Sequence, residues 1–209
     1  MKIIFATANA GKLREAAEVL GPDFEIVSPA SLGITEDIPE TGATLQENSL
    51  QKARYLFERT GIPCFADDTG LEVDALGGAP GIYSARYAGS AHDHNANMDK
   101  LLANLEKLSA LSKAADKTVP WYSTARFHTV VTLILADGQP RFFEGFCEGR
   151  IAREKRGTGG FGYDPVFLPD AYPGRTLAEV SEEEKNAVSH RGNAIRAMAG
   201  WLIAQIASH

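Results

Sequence analysis

The stretch that decides the fold is CFADDTGLEVDALGGAPG, at residues 64–81. Its apolar start, Cys64 to Ala66, predicts a short strand, and the polar run of residues 67–70 predicts the end of that strand. Leu71 to Leu76 alternates between apolar and polar residues like a second strand, and the glycine- and proline-rich residues 77–81 predict a loop. The centre of the chain is therefore expected to contribute adjacent strands to a sheet.

Strands and helices are also predicted on the N-terminal side of this stretch. Residues 2–7 and 24–28 predict strands, Leu13 to Leu20 predicts a helix, and Pro29 to Gly42 predicts a loop. A second helix is expected to begin at Thr44 and to run to about Thr60. Its start has the pattern of a capping box, in which the Thr44 hydroxyl and the Glu47 carboxylate each accept a hydrogen bond from the other residue's amide.

The C-terminal half continues this alternation. Asn95 to Ser112 predicts a helix, residues 113–124 a surface connection, and 127–135 and 141–147 two strands. Ser181 to Glu184 has a second capping-box pattern, and apolar residues recur at helical spacing in the last segment, at Ala194, Ile195, Met198, Trp201, Leu202 and Ile206. Together these elements predict an α/β protein with a mixed sheet.

Composition narrows the class of protein. The 209 residues are 44% hydrophobic and 23% charged, which predicts one globular domain over residues 1–209, or one domain in two lobes. The net charge of −6 disfavours a nucleic-acid-binding surface. No apolar run suits a membrane span or a signal peptide, and two cysteines are too few for a disulfide framework, so we expect a cytoplasmic protein without membrane contact.

Residues 7–12, Thr7-Ala8-Asn9-Ala10-Gly11-Lys12, lead from a strand through a tight turn into a helix. Backbone amides at a helix start form an anion site, and the lysine could add a point charge for a phosphate. The segment is not a Walker A loop, because the pattern GxxxxGK[ST] is absent. An ordinary turn with an exposed lysine is the alternative.

Asp67 and Asp68 are the first candidates for a carboxylate site. Neighbouring residues on a strand point to opposite faces, so both can serve one site only if the strand ends there. Carboxylates beside a cleft could hold Mg²⁺ or deprotonate a water, although an aspartate that caps a turn is common. Glu40, in a Pro-Glu-Thr-Gly loop, has no evident structural role and is a further candidate metal ligand, with a solvated loop charge as the alternative.

The glycine-rich segment 157–165, GTGGFGYDP, formally matches GxGxxG but lacks the context of a dinucleotide site. A charged stretch precedes it where a buried strand is required, and Asp164-Pro165 follows where a helix should begin. A loop that presents Phe161 to a flat ligand, with Asp164 at the ligand's edge, is the better interpretation. A tight turn with two core aromatics is the alternative.

Basic residues gather near the start of the last helix. Lys185, His190 and Arg191 supply donors that favour an oxygen-rich ligand at a helix N-terminus. A solvated helix start is the alternative, and the three glutamates at 182–184 would partly neutralise the positive field.

Taken together, five segments in order resemble the XTP/dITP diphosphatase family, also called inosine triphosphate pyrophosphatases. They are TANAGK at 7–12, ETGATLQENSLQKA at 40–53, FADDTGLEVDALGGAPGIYSARYAG at 65–89, GTGGFGYDPVF at 157–167 and EEKNAVSHRGNA at 183–194. The resemblance implies two α/β lobes around a long mixed sheet with a central nucleotide-binding cleft, a homodimer, Mg²⁺ dependence, and hydrolysis of ITP, dITP and XTP to the monophosphate and pyrophosphate.

The resemblance also implies roles for single residues. Asp68 would be the proton acceptor, and Glu40, Asp68 and Asp67 would serve the metal. The purine nucleoside triphosphate would be bound by Thr7, Ala8, Asn9, Ala10, Gly11, Lys12, Lys52, Thr69, Phe161, Gly162, Tyr163, Asp164, Lys185, His190 and Arg191. Thr69 stands where many members have serine, and Ala8 where glycine is frequent. A Maf-like pyrophosphatase for other modified nucleotides and a non-catalytic nucleotide sensor are the alternatives.

Overall fold

The computed structural model describes residues 1–36, 38–89, 92–111 and 118–207. Seven strands lie in these residues: β1 Lys2–Phe5, β2 Glu25–Val27, β3 Cys64–Val73, β4 Pro80–Gly81, β5 Trp121–Ile134, β6 Pro140–Ala152 and β7 Phe167–Pro169. The α-helices of the same residues are α1 Ala10–Leu20, α2 Leu45–Thr60, α3 His94–Leu111, α4 Glu182–Ala187 and α5 His190–Ala207. The predicted α/β class is confirmed.

The strands form a mixed sheet in the order β2-β1-β3-β5-β6-β7, with β4 paired to β3. β1 is parallel to β2 and to β3, with Ile4 opposite both Val27 and Cys64. β4 is antiparallel to β3, and β7 is antiparallel to β6. The predicted mixed sheet is therefore confirmed.

Within the described residues the chain divides into two compact units, the first drawn from Met1–Asp68, Thr129–Gly145 and His190–His209, and the second from Thr69–His128 and Phe146–Ser189. In the first unit, alternate residues of β1 enter different clusters, because a strand's side chains point to opposite faces. Ile3 and Phe5 pack with α1 and α5, whereas Ile4 packs with α2. The rings of Phe5 and Phe65 stack with centroids 4.3 Å apart.

The second unit has a core of its own. Met98, Leu101 and Leu105 of α3 are buried among residues from β3, β5 and β6. Phe127 and Phe167 meet at a centroid distance of 4.7 Å within it. None of the described helices has both the length and the apolar composition needed to cross a bilayer.

The predicted end of a strand at the acidic pair is wrong. β3 continues from Cys64 through Asp67, Asp68 and Gly70 to Val73. Gly70 does not interrupt the strand; a Cβ at this position would lie 2.6 Å from the carbonyl oxygen of Gly81, so glycine is needed because β4 comes so close.

Several predicted bounds also need correction. The predicted strand at 71–76 gives way to a 3₁₀ turn at Asp74–Leu76, and another 3₁₀ turn, Pro29–Leu32, lies in the predicted loop 29–42. Residues 121–124, predicted as a surface connection, begin β5, while 112–117 lie outside the described residues. β5 and β6 are longer than predicted because cross-strand pairing extends them beyond the segments with clear alternation.

The two capping boxes differ. At α4, Ser181 and Glu184 accept from each other's amides, as predicted. At α2, the Thr44 hydroxyl accepts from the Glu47 amide, but Glu47 Oε2 accepts from Ala43 at 2.6 Å rather than from Thr44. In the apolar stripe of α5, Ala194, Ile195, Met198 and Leu202 are buried and Trp201 is partly buried. The side chain of Ile206 lies outside the described residues.

Candidate active site

The continuity of β3 separates the two neighbouring aspartates. Asp67 lies on the strand face of Phe65, which packs with α1 and α5, and Asp68 lies on the face of Ala66, which packs with α2. Each carboxylate therefore meets side chains from different helices, and the two are not one cluster.

Asp68 is bound by two residues of α2. Asn48 Nδ2 donates to Asp68 Oδ2 at 3.1 Å, and Lys52 Nζ donates to Asp68 Oδ1 at 3.3 Å. Lys52 Nζ also donates to Glu40 Oε1 at 2.6 Å. Residues four apart share a helix face, so Asn48 and Lys52 both reach β3 from one side of α2. The structure thus brings Glu40, Lys52 and Asp68 together.

Burial and charge shift the pKa values of this group in ways that suit acid–base chemistry. Burial raises the pKa of Asp68, and the negative charge of Glu40 adds to that rise, while the positive charge of Lys52 opposes it. Burial alone would lower the pKa of Lys52, but the charges of Asp68, Asp67 and Glu40 outweigh it and raise that pKa. Lys52 therefore stays charged, and Asp68 is a carboxylate with increased proton affinity.

Asp67 has a different environment. Lys12 Nζ lies 3.1 Å from Asp67 Oδ1 and 3.0 Å from Oδ2, and Arg191 Nε donates to Oδ2 at 2.8 Å. Burial favours protonation of Asp67, but the charges of Lys12 and Arg191 outweigh it and hold the pKa of this carboxyl well below its usual range. Asp67 is thus a carboxylate whose ionised form is favoured, and it pairs with two residues that are predicted to bind the substrate.

The start of α1 is capped by its own asparagine. Asn9 Oδ1 accepts from the amides of Gly11 at 2.8 Å and Lys12 at 3.2 Å, and the Asn9 amide donates to Thr7 Oγ1 at 3.1 Å. The cap explains why α1 begins at Ala10 rather than at Leu13. A phosphate bound here would meet the Lys12 side chain directly, whereas the amides of Gly11 and Lys12 already have a partner.

In the second unit, the glycine loop presents an aromatic ring. The side chain of Phe161 is largely exposed, while its amide donates to Asp164 Oδ2 at 2.7 Å. Lys185 pairs with the same carboxylate and places Nζ 4.6 Å from the centre of the Phe161 ring. Gly160 has φ +71°, and a Cβ there would overlap the Asp164 carboxylate, so the loop requires glycine.

The other residues that are predicted to bind the substrate lie in different surroundings. The Tyr163 side chain is buried, its hydroxyl donates to the Ser84 carbonyl at 2.9 Å, and burial raises its pKa. Its side chain therefore belongs to the core. Thr69 is half-buried on β3, His190 begins α5, Gly162 has φ +64°, and Ala8 and Ala10 are exposed. Their predicted contacts with substrate stay predictions.

Asn48 orients Asp68, and sequence reasoning assigned no functional role to it. Asn48 is almost fully buried, and its Oδ1 accepts from the Gly42 amide at 2.8 Å while Nδ2 donates to Asp68. A Cβ on Gly42 would lie 2.9 Å from Asn48 Oδ1, so glycine keeps this contact possible. The spacing of Asn48 and Lys52 was a visible signal, since an asparagine on a buried helix face needs partners.

Proteins of known sequence and structure match nearly the whole chain. The model of the Ham1 family matches residues 3–201. The chain belongs to the Ham1 family. A dITP/XTP pyrophosphatase of Porphyromonas gingivalis is 50% identical over 202 residues, 97% of each chain, and one of Christiangramia forsetii is 46% identical over 97% of this chain and 99% of its own. The resemblance inferred from the five segments is confirmed.

Solved structures of this family agree with the fold. A Ham1 protein of Staphylococcus aureus superposes with a TM-score of 0.85 at 36% identity, covering 98% of this chain and 100% of its own. A HAM1 protein of Coxiella burnetii gives a TM-score of 0.84 at 39% identity, covering 98% and 99%. The arrangement of strands and helices is thus that of the Ham1 fold.

Proposed function

We propose that this protein is a nucleoside triphosphate pyrophosphatase that hydrolyses the deaminated purine nucleotides ITP, dITP and XTP to the monophosphate and pyrophosphate. Its relatives of 43–50% identity are named for dITP and XTP pyrophosphatase activity. The observation that carries the proposal is the partly buried Asp68, whose raised pKa suits a proton acceptor and whose carboxylate shares Lys52 with Glu40. The Maf-like alternative is disfavoured by membership of the Ham1 family.

Mg²⁺ is part of this proposal, and the side chains at Asp68 fit it. Glu40 and Asp68 direct oxygens at the same ammonium, at 2.6 and 3.3 Å, so they converge on one point. No group of three or more histidine, cysteine or acidic side chains in the described part of the chain is arranged to hold a metal. Mg²⁺ commonly uses one or two protein carboxylates together with waters and substrate phosphates, so Glu40 and Asp68 suffice. We leave Asp67 out of this ligand set, because Lys12 and Arg191 engage both of its oxygens.

The chain's own residues supply the proton transfer and much of the charge compensation. Asp68 accepts the proton of a water that attacks the α-phosphorus, and the bond from that phosphorus to the bridging oxygen breaks to release pyrophosphate. Lys52 holds Asp68 in place, and Lys12 and Arg191 offset phosphate charge. Bound Mg²⁺ would add positive charge against the phosphates and make nearby water more acidic.

Base selection rests on the second unit. The exposed Phe161 ring offers a stacking surface, and Asp164 and Lys185 are fixed beside it. A donor aimed at the purine 6-position pairs with the keto oxygen of inosine or xanthine and meets another donor in adenine, which disfavours ATP. A homodimer, implied by the family resemblance, and a cytoplasmic location, expected from the sequence composition, complete the proposal.

A substrate panel tests the proposed function. With Mg²⁺, the protein is expected to release pyrophosphate from ITP, dITP and XTP at least about 100-fold faster than from ATP or dATP, judged by kcat/KM. EDTA should abolish turnover, and added Mg²⁺ should restore it. Release of orthophosphate would show cleavage at the γ-phosphate and contradict the proposal. Tight binding of ITP without turnover would favour the nucleotide sensor instead.

Phe161→Ala tests the stacking surface. Loss of a base–aromatic stack costs about 1–3 kcal/mol, so KM for ITP should rise about 5- to 150-fold while kcat changes little. The exposed Phe146 of the same unit provides a matched control, since Phe146→Ala removes a similar ring from a strand. Equal KM values for wild type and Phe161→Ala would remove Phe161 from the binding site.

A further inference from the structure

Asp67 lies beneath two cations from different helices. Its carboxylate comes from β3, Lys12 from the first turn of α1, and Arg191 from the first turn of α5. Lys12 Nζ and Arg191 Nε contact the same oxygen, Asp67 Oδ2, at 3.0 and 2.8 Å. One carboxylate thus joins three elements of the first unit.

The carboxylate of this group is less exposed to solvent than either of its two cations. Asp67 is 2% exposed, whereas Arg191 is 12% and Lys12 27% exposed. An anion that approaches from solvent therefore reaches the cations rather than the aspartate below them. Arg191 has a further acidic neighbour, Glu15, at a longer distance of 3.8 Å.

Without Asp67, Lys12 and Arg191 would lose the carboxylate oxygen that both of them contact. Two positive groups close together in a partly buried place repel each other, and the flexible lysine stem would turn its ammonium toward water. A shared carboxylate compensates this repulsion and fixes both directions through hydrogen bonds. Preorganised cations bind a polyphosphate better than mobile ones, because the ordering cost is met before binding.

We propose that Asp67 is a positioning residue that holds Lys12 and Arg191 side by side as one cationic pair for the substrate's triphosphate. The inference rests on the proposed function, since it takes the triphosphate as the ligand. It gives the two adjacent aspartates separate tasks. Asp68 acts on the reacting water, whereas Asp67 acts on binding through its two partners and does not touch the reacting atoms.

Asp67→Asn separates binding from chemistry. The variant keeps the side-chain volume and removes the charge that pairs with both cations. We expect KM for ITP to rise at least about tenfold with kcat within about threefold of wild type, because ground-state and transition-state binding are lost together. The control is Glu18→Gln, which removes an exposed carboxylate from α1 and should leave KM unchanged. A fall in kcat at constant KM would place Asp67 in the chemistry and overturn the inference.

Calorimetric binding of inorganic triphosphate, in EDTA, supplies a readout that does not depend on turnover. Asp67→Asn should weaken this binding at least about tenfold, and Asp67→Glu, which keeps the charge but shifts it by one methylene, by an intermediate factor. In a Lys12→Met/Arg191→Met background, Asp67→Asn should add less than about twofold, because its partners are gone. Wild-type affinity in Asp67→Asn, or a full further loss in that background, would overturn the inference.

These experiments distinguish failure of the positioning role from failure of the proposed function. If Asp67→Asn fails to fold by circular dichroism, Asp67→Glu decides, and wild-type affinity in that variant would overturn the positioning role. If the wild-type protein binds inorganic triphosphate but releases no pyrophosphate from ITP, the proposed function fails. The inference then still stands or falls on the affinities of the variants.

Discussion

Asp68→Asn is expected to lower kcat for ITP by about 10³-fold while the protein remains folded. The amide cannot accept the proton of the attacking water, and general-base catalysis commonly contributes factors of 10²–10⁴. The fold should tolerate the change, because burial already disfavours the ionised form of Asp68 and an amide carries no charge to bury. Asn48 can still donate to the remaining side-chain oxygen.

The measurement is steady-state release of pyrophosphate, with circular dichroism and thermal unfolding of the same preparation. Glu58→Gln, at an exposed position of α2, is the matched control for loss of a carboxylate and should keep the wild-type kcat. A kcat for Asp68→Asn within tenfold of wild type would exclude Asp68 as the proton acceptor. The proposed mechanism would then need a different base.

The sequence predicted the fold class because the periodic segments are strong. The apolar stripe of α5 and the apolar start of β3 around Phe65 follow patterns that burial enforces, and both were found where expected. The end of β3 was misplaced for a local reason. Thr69 and Gly70 have the composition of a turn, but the close approach of Gly81 on β4, which local composition does not reveal, keeps the strand extended through Gly70.

The predicted arrangement of the site depended on where β3 ends. If β3 had ended at Asp67, both aspartates could have served one metal; because it continues, the two carboxylates point to opposite faces. The partners of each then follow from the helices that cover those faces. Lys12 and Arg191 are 179 positions apart in the chain, and only the packing of α1 and α5 brings both to Asp67.

The net charge of the chain likewise predicts a general property of its surface, but not the positions of single charged side chains. The net charge of −6 disfavours a general polyanion-binding surface, yet it does not reveal where cations gather. In the first unit, the buried carboxylate of Asp67 pairs with Lys12 and Arg191, and the partly buried carboxylate of Asp68 pairs with Lys52. An acidic protein can thus offer a few oriented cations, provided that each is paired with a carboxylate that fixes its direction.

Lys52→Met is expected to reduce kcat/KM for ITP by about 10³-fold and to destabilise the protein by about 3 kcal/mol at pH 8, because it leaves Asp68 without its buried counter-ion. The sign of the pH dependence follows from the raised pKa of Asp68. Ionising such a group costs folding free energy, so its contribution to stability is greatest below the unfolded-state pKa and is lost as pH rises through the folded-state pKa. Lys52 offsets that cost, and its removal should raise the pKa of Asp68 further.

Two measurements follow from this sign. The difference in unfolding free energy between wild type and Lys52→Met, measured in EDTA, should shrink as the pH falls from about 8 through the acid range, because Asp68 in the variant takes up a proton. The acid limb of the pH–rate profile should move to higher pH, because a proton acceptor must be ionised to work. Arg54→Met, at an exposed position two residues along α2, removes a positive charge without a buried partner and should change neither quantity. A stability difference that is constant across this pH range would mean that Lys52 does not control the ionisation of Asp68, and the assignment of Asp68 as a tuned base would lose its physical support.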